Sequence, residues 1–467
     1  MQASFYPYLA AFCWIGIFLM IGTILRAKVK FFQTLLFPAS LIGGILGFIV
    51  INMGWLVLPS SDGLKILESK TFTLITSHLF AFGFVGVGLL QNKRKEDSKI
   101  AVRGGIWIGI LFTSLFAVQA LIGKGVFLGW KLVSSAEYYV NNGYLLGAGF
   151  TQGPGQTAAY AGIWEQQHQI ANAVNTGLAF AAVGFLVAGL VGVPMAFYGI
   201  RRGWLRGGIG NARSLPDYFL KGIMNKDDHP PCAHHTTHAS NIDTIGFHLG
   251  LMCAIYGGAY LFSLAWQTYM PSDIKGLGFG FLFVWGMFLA MFVRKVMSGT
   301  GTLHLIDPEM SRRLTGTTVD FMICSVFMGI EVKALQDVAV PFLVSIVLAT
   351  VVTVLICMWF GRRAPEFGFE RMLALFGLCT GTVASGLLLL RIVDPEFDTT
   401  VAVELGLFNI VTVFIFTPIS FSMPFVPAPG PFFDIFDSYP IGWIFLLTIV
   451  ACTIAMFASR LVTKRNF

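Results

Sequence analysis

The feature that most limits what this chain can fold into is the recurrence of apolar runs about 20 residues long. A helix of that length crosses the hydrocarbon of a bilayer. Such runs lie near 6–26, 33–57, 71–91, 103–127 and 170–200, and again near 244–266, 276–293, 314–332, 337–360, 400–422 and 440–460. Charged residues are 12% of the 467 and the apolar set AVILMFWYC is 55%. Soluble domains carry about 25% charged residues. So few charges cannot cover the surface of a soluble protein of this size. The chain therefore reads as an all-α integral membrane protein, solvated mostly by lipid. That excludes a disordered chain, a secreted disulfide scaffold and a conventional nucleic-acid binder. Six of the seven cysteines sit in apolar segments and read as small hydrophobes; Cys232 is the exception. No basic stretch precedes the first apolar run, so that run reads as a retained helix and not as a cleaved leader.

Two further segments have the length of a span but a different character. Residues 143–163 and 372–392 are rich in Gly, Thr, Ser and Gln at their centres, GFTQGPGQTAA and GLCTGTVASG. The basic residues suggest how they run. With the N-terminus outside and both segments re-entrant, 25 of the 31 Lys and Arg residues fall on the inner side, as the positive-inside rule requires. Lys65, Lys70, Lys124, Lys131, Lys275 and Lys333 fall outside. If 143–163 crossed fully, the Arg-rich stretch at 201–213 would move outside. The expectation is eleven full spans and two re-entrant hairpins.

The two halves also match each other. Gly149-Phe-Thr-Gln-Gly153 corresponds to Gly377-Leu-Cys-Thr-Gly381, and Ala173-Val-Asn175 to Ala402-Val-Glu404. From Gly153 to Asn175 is 22 residues, and from Gly381 to Glu404 is 23. The expected organisation is an inverted repeat of five transmembrane helices plus one re-entrant hairpin each. Residues 1–200 form the first repeat, 201–243 a cytoplasmic linker, 244–422 the second repeat, and 423–467 an extra C-terminal helix and tail. The linker carries Asp227, Asp228, His229, Cys232, His234, His235 and His238. Their spacing lacks zinc-site regularity, and a solvated, flexible connection is the expectation.

Broken helices in inverted repeats are the architecture of secondary transporters. A half-helix start offers N–H groups and partial positive charge to a carboxylate. A half-helix end offers carbonyls to Na⁺. Around the first centre stand Thr151, Gln152, Gly153, Gly155, Gln156 and Thr157; around the second, Cys379, Thr380, Gly381, Thr382 and Ser385. The glycines allow a turn and close backbone approach. The hydroxyls and amides can bond a substrate or complete a hard-cation shell. Asn175 and the intramembrane carboxylate Glu404 follow the two hairpins. The candidate Na⁺ ligands are Thr151, Thr380, Thr382, Asn175 and Glu404. Glu404 is equally a candidate proton carrier, or the partner of Arg391 or Asp394. No nucleophile triad, metal-spaced pair or phosphate loop points to catalysis.

The run GYLLGAGFTQGPGQTAAYAGIWE…NAVNTGLAFAAVGFLVAGLVGVP resembles the first hairpin and following helix of the bacterial sodium/glutamate symporter family. FPASLIGGILGFIV and FAFGFVGVGLLQN resemble its second and third helices. The resemblance implies Na⁺ as coupling ion with no other cofactor, a small anionic substrate such as glutamate, and a homodimer moving substrate by an elevator-like motion. The family's first tip is usually Gly-Gly-His-Gly-Thr, where this chain has Gln152-Gly-Pro154-Gly-Gln156-Thr157. It has Asn175 where the family commonly has Glu. Open alternatives are another organic anion, proton coupling through Glu404, and a channel or membrane sensor.

Overall fold

The computed structural model describes residues 6–60, 63–90, 98–205, 217–224, 226, 233–238, 240–271, 275, 277–394, 399–426, 440–459, 461 and 462. In lipid, backbone groups must be satisfied within the chain, and helices do this locally. The first half runs α1 (Tyr6–Lys28), α2 (Lys30–Thr34), α3 (Ala39–Asn52), a hairpin of β1 (Val57–Ser60) and β2 (Gly63–Ile66), α4 (Ser69–Leu89) and α5 (Ser98–Lys131). It continues with α6 (Leu145–Gln152), α7 (Pro154–His168), α8 (Ala173–Val187) and α9 (Val193–Arg201). After the short α10 (Asp217–Lys221) come α11 (Thr244–Tyr269), α12 (Leu277–Gly280), α13 (Leu282–Gly299), α14 (Pro308–Met328) and α15 (Ala339–Gly361). The order ends with α16 (Gly368–Thr380), α17 (Val383–Val393), α18 (Val401–Ile415), α19 (Thr417–Ser422) and α20 (Pro440–Ala458).

Among the described residues, eight helices are long and apolar enough to cross a membrane, where the sequence suggested eleven. Three expected spans differ for local reasons. The run 33–57 forms only the 14 residues of α3, because Pro38 disfavours helix at the residue before it and Gly54 turns the chain at φ 71. The run 314–332 is α14, which starts earlier. Asp307 accepts the Met310 N–H at 2.7 Å and Pro308 takes the first turn, so Arg312 and Arg313 lie inside a helix and not in a loop. The run 400–422 is interrupted at Phe416, between α18 and α19. Pro418 has no N–H to continue the ladder, and its ring crowds the carbonyl four residues back. Pro194 does the same at the α8–α9 junction, where residues 188–192 widen into a π-helical turn.

The chain packs as two compact units, each drawing on both halves of the sequence. The first comprises residues 1–33, 37–94 and 217–331. In it α4 packs against α13 and α14, and α3 against α1 and α14. Small residues allow these approaches: Gly44 faces Phe327 and Gly83 faces Thr318. Ala11, Ile15, Phe18 and Leu19 of α1 meet Cys324 and Met328 of α14 in one core. The described end of the linker belongs here, and it is tied down. The N–H groups of Thr236 and Thr237 donate to Thr244 Oγ1 at 3.2 and 3.3 Å, and Asp243 caps α11. The expectation of a flexible connection thus misses an anchored end. Among the described residues no His, Cys, Asp and Glu cluster could hold a metal; Asp227, Asp228, His229 and Cys232 lie outside them.

The second unit comprises residues 34–36, 95–216 and 332–467. Its axis is α5, the most buried of the eight long apolar helices. Gly104, Gly105 and Gly109 of α5 admit Glu404, Leu407 and Val411 of α18. Phe116 of α5 meets Phe445 edge-on at 5.7 Å, so α20 belongs to this unit's packing. Lys124, expected on the outer side near the end of the run 103–127, is buried in α5 and bonded to Asn141.

Candidate functional site

Both Gly-rich segments are broken helices of the second unit. The first break is Gly153, at φ 75 and ψ −170, a region open essentially only to glycine. Pro154 follows and opens α7 at a position where its missing N–H costs nothing. Thr151 and Thr157 donate back to the carbonyls of Gly147 and Gly153, each at 2.7 Å. The hydroxyl of Tyr160 donates to Gln152 Oε1 at 3.0 Å and also bonds Ser420 Oγ. Trp164 Nε1 donates to the Met423 carbonyl at 2.8 Å, fixing α7 against the turn after α19.

The second break is Gly381–Thr382, with Gly381 at φ −157 and ψ −100 and Thr382 extended. Glycine is needed at 381 for space. A Cβ there would stand 3.0 Å from Ser385 Cβ and 3.2 Å from Phe185 Cδ1. Gly377 lies against Gly386, four residues before the break and five after, so α16 and α17 fold back on each other as a helical hairpin. The Thr380 hydroxyl donates to the Phe376 carbonyl at 2.8 Å. Gln119 Nε2 donates to the Cys379 carbonyl at 3.0 Å and to Thr353 Oγ1 at 2.9 Å, joining α5, α15 and the end of α16.

The two breaks lie side by side. A Cβ on Gly153 would stand 3.0 Å from Thr382 Cγ2 and 3.5 Å from the Gly381 carbonyl oxygen. The starts of α7 and α17 and the ends of α6 and α16 therefore converge. Helix starts leave N–H groups unpaired and helix ends leave carbonyls unpaired, so the place offers partial positive and partial negative charge together. Gln152 Nε2 and Thr382 Oγ1 flank the junction. Among the described residues both are buried polar atoms with no hydrogen-bond partner. Burying such a group unpaired costs about 1–3 kcal/mol, which a ligand atom in reach recovers.

The structure thus brings together Thr151, Gln152, Gly153, Thr380, Gly381 and Thr382. Gly155, Gln156 and Thr157 sit in the first turn of α7, and Ser385 in the first turn of α17. Asn175 is half-buried at the start of α8, two residues before Gly177, which faces Thr157. Glu404 is elsewhere. Its two oxygens accept from Arg371 Nη2 at 2.6 Å and Nε at 2.7 Å, and the Thr400 hydroxyl adds a third bond at 2.7 Å. Both partners are fully buried. Arg371 lies ten residues before Gly381, about 15 Å along α16. The pairing is therefore with Arg371, and not with Arg391 or Asp394. Arg371 was counted among inner-loop charges, but it is a core residue of α16. Residues missed by the sequence reading are Gln119, Thr353, Tyr160 and Ser420. Gln119 is the one strongly polar side chain in the apolar stretch 104–123, which could have marked it.

Paired polar helix breaks inside a multi-pass helical membrane protein are a recurring feature of secondary transporters. The profile of the sodium/glutamate symporter family matches residues 7–364. The sodium/glutamate symporter of Escherichia coli is 23% identical over 363 residues, 77% of this chain and 82% of the relative. That of Haemophilus influenzae is 22% identical over 365 residues, 77% of this chain and 81% of the relative. The chain belongs to the sodium/glutamate symporter family, a family of sodium-coupled membrane transporters.

Proposed function

We propose that this protein carries glutamate or a related small carboxylate into the cell with Na⁺, and that both are bound where the two helix breaks meet. The observation that carries this reading is the contact of Gly153 with Thr382, flanked by buried, unpartnered polar atoms of Gln152 and Thr382. The starts of α7 and α17 suit the carboxylate. The ends of α6 and α16, with the oxygens of Thr151, Thr380 and Thr382, suit Na⁺. Asn175 would contribute from α8. We leave Glu404 out of the ion-binding set, because Arg371 and Thr400 engage its oxygens. The two tips are read as counterparts in an inverted repeat, supported by the matching order of a broken helix, a helix and a proline-marked interruption in both halves.

The test is uptake by proteoliposomes under an imposed Na⁺ gradient, against L-glutamate, L-aspartate, succinate and 2-oxoglutarate. Na⁺-dependent uptake of at least one is expected. Uptake driven equally well by a proton gradient alone, and lost in Glu404→Gln, would restore the proton-carrier reading. The Gln-Gly-Pro-Gly-Gln-Thr tip favours testing carboxylates besides glutamate, since a neutral amide stands where the relatives' pattern places other groups.

A further inference from the structure

We infer that Tyr160, held by Ser420, sets which end of the Gln152 amide faces the helix breaks, and so makes the first tip a donor to anions. This rests on the binding site proposed above. A glutamine amide has a donor end and an acceptor end, and rotation by half a turn exchanges them. Beside a helix break the two orientations have opposite uses. A free NH₂ favours a carboxylate oxygen, whereas a free carbonyl oxygen favours Na⁺.

In the structure the hydrogen-bond order follows one of these choices. Tyr160 donates its one hydroxyl hydrogen to Gln152 Oε1 at 3.0 Å. Its bond to Ser420 must then run the other way, with the Ser420 hydroxyl donating to Tyr160. The chain of donors runs from Ser420 through Tyr160 to Gln152 and leaves Gln152 Nε2 buried with no partner among the described residues. Tyr160 is itself fully buried, about two turns into α7, which shields its hydroxyl from bulk water. The three residues come from α6, α7 and α19. Ser420 lies in the short helix that Pro418 splits from α18. The interruption in the second half of the chain thus supplies the group that orients the tip of the first half. Tyr160 is a positioning residue: it acts through Gln152 and not on the substrate.

The experiment uses the full chain in proteoliposomes and whichever carboxylate of the panel it takes up best. Tyr160→Phe keeps the ring and removes the hydroxyl. It should raise the KM for the carboxylate about ten-fold, the worth of one neutral hydrogen bond, and leave kcat and the KM for Na⁺ unchanged. Ser420→Ala should shift the same constant in the same direction by a smaller factor, and it carries the test if Tyr160→Phe does not fold. In a Gln152→Ala background, Tyr160→Phe should be silent. If Gln152→Ala leaves the carboxylate KM unchanged, the site itself is misplaced. If Gln152→Ala raises it but neither Tyr160→Phe nor Ser420→Ala does, the site stands and the positioning role falls. A fall in Na⁺ affinity instead, or equal effects of Tyr160→Phe with and without Gln152, overturns the inference as well.

Discussion

At the scale of single residues, the two breaks use glycine for different reasons. Gly153 has a backbone conformation, φ 75 and ψ −170, that other residues reach at a cost of about 1–3 kcal/mol. Gly381 is held small by Ser385 and Phe185. Gly153→Leu and Gly381→Leu should both abolish uptake, since either side chain fills the space where the tips meet. They should differ in stability. Gly153→Leu is expected to lose about 1–3 kcal/mol from backbone strain, whereas Gly381→Leu must displace packed atoms and is expected to lose at least as much. Thermal unfolding in detergent alongside proteoliposome uptake checks both. Retained uptake in either variant would remove that tip from the site. Gly104 is a third case: a Cβ there would overlap the Glu404 carboxylate, so its smallness accommodates an ion pair and not a turn.

At the scale of elements, the Arg371–Glu404 pair ties α16 to α18 inside the second unit. Arg371 Nη1 also bonds the Pro365 carbonyl and, at 3.1 Å, Glu366 Oε2. Removing one member of a buried pair leaves an uncompensated charge and costs about 3–5 kcal/mol, while replacing both with apolar groups is close to neutral. Arg371→Met and Glu404→Leu should therefore each lower the unfolding temperature markedly, and the double variant should recover most of the loss. Additive losses in the double variant would mean the pair is not the linkage. Because Na⁺ coupling does not run through this carboxylate in our reading, uptake by the double variant should keep its dependence on Na⁺ concentration.

At the scale of the whole molecule, the basic residues predict its orientation. The region around 201–243 should face the cytoplasm and the α11–α12 connection the outside. Single accessible cysteines at Ser240 and Met270, with the exposed Cys13 and Cys253 and the linker's Cys232 replaced by Ser, should react differently with a membrane-impermeant thiol reagent on intact cells. Met270→Cys should be labelled and Ser240→Cys should not. The opposite pattern would invert the topology. The prediction survives the placement of Arg312, Arg313 and Arg371 within helices, because none of them decides the balance of charge that places the Arg-rich stretch after α9 inside.

The sequence by itself determined the membrane class, most helix positions and the place of both breaks. Those properties are local: hydropathy over one span, a Gly-Pro pair at Gly153, a polar cluster around Gly381. It could not determine the partner of Glu404. Arg371 is 33 residues away, and the charge count had placed it in a loop. Nor could it show that Gln119, in α5, reaches the carbonyl of Cys379, or that Ser420 stands behind Tyr160, each pair 260 residues apart. Hydropathy and spacing describe each segment along its own axis. Which side chains meet depends on how α5, α16, α18 and α19 pack, and only the tertiary structure decided that.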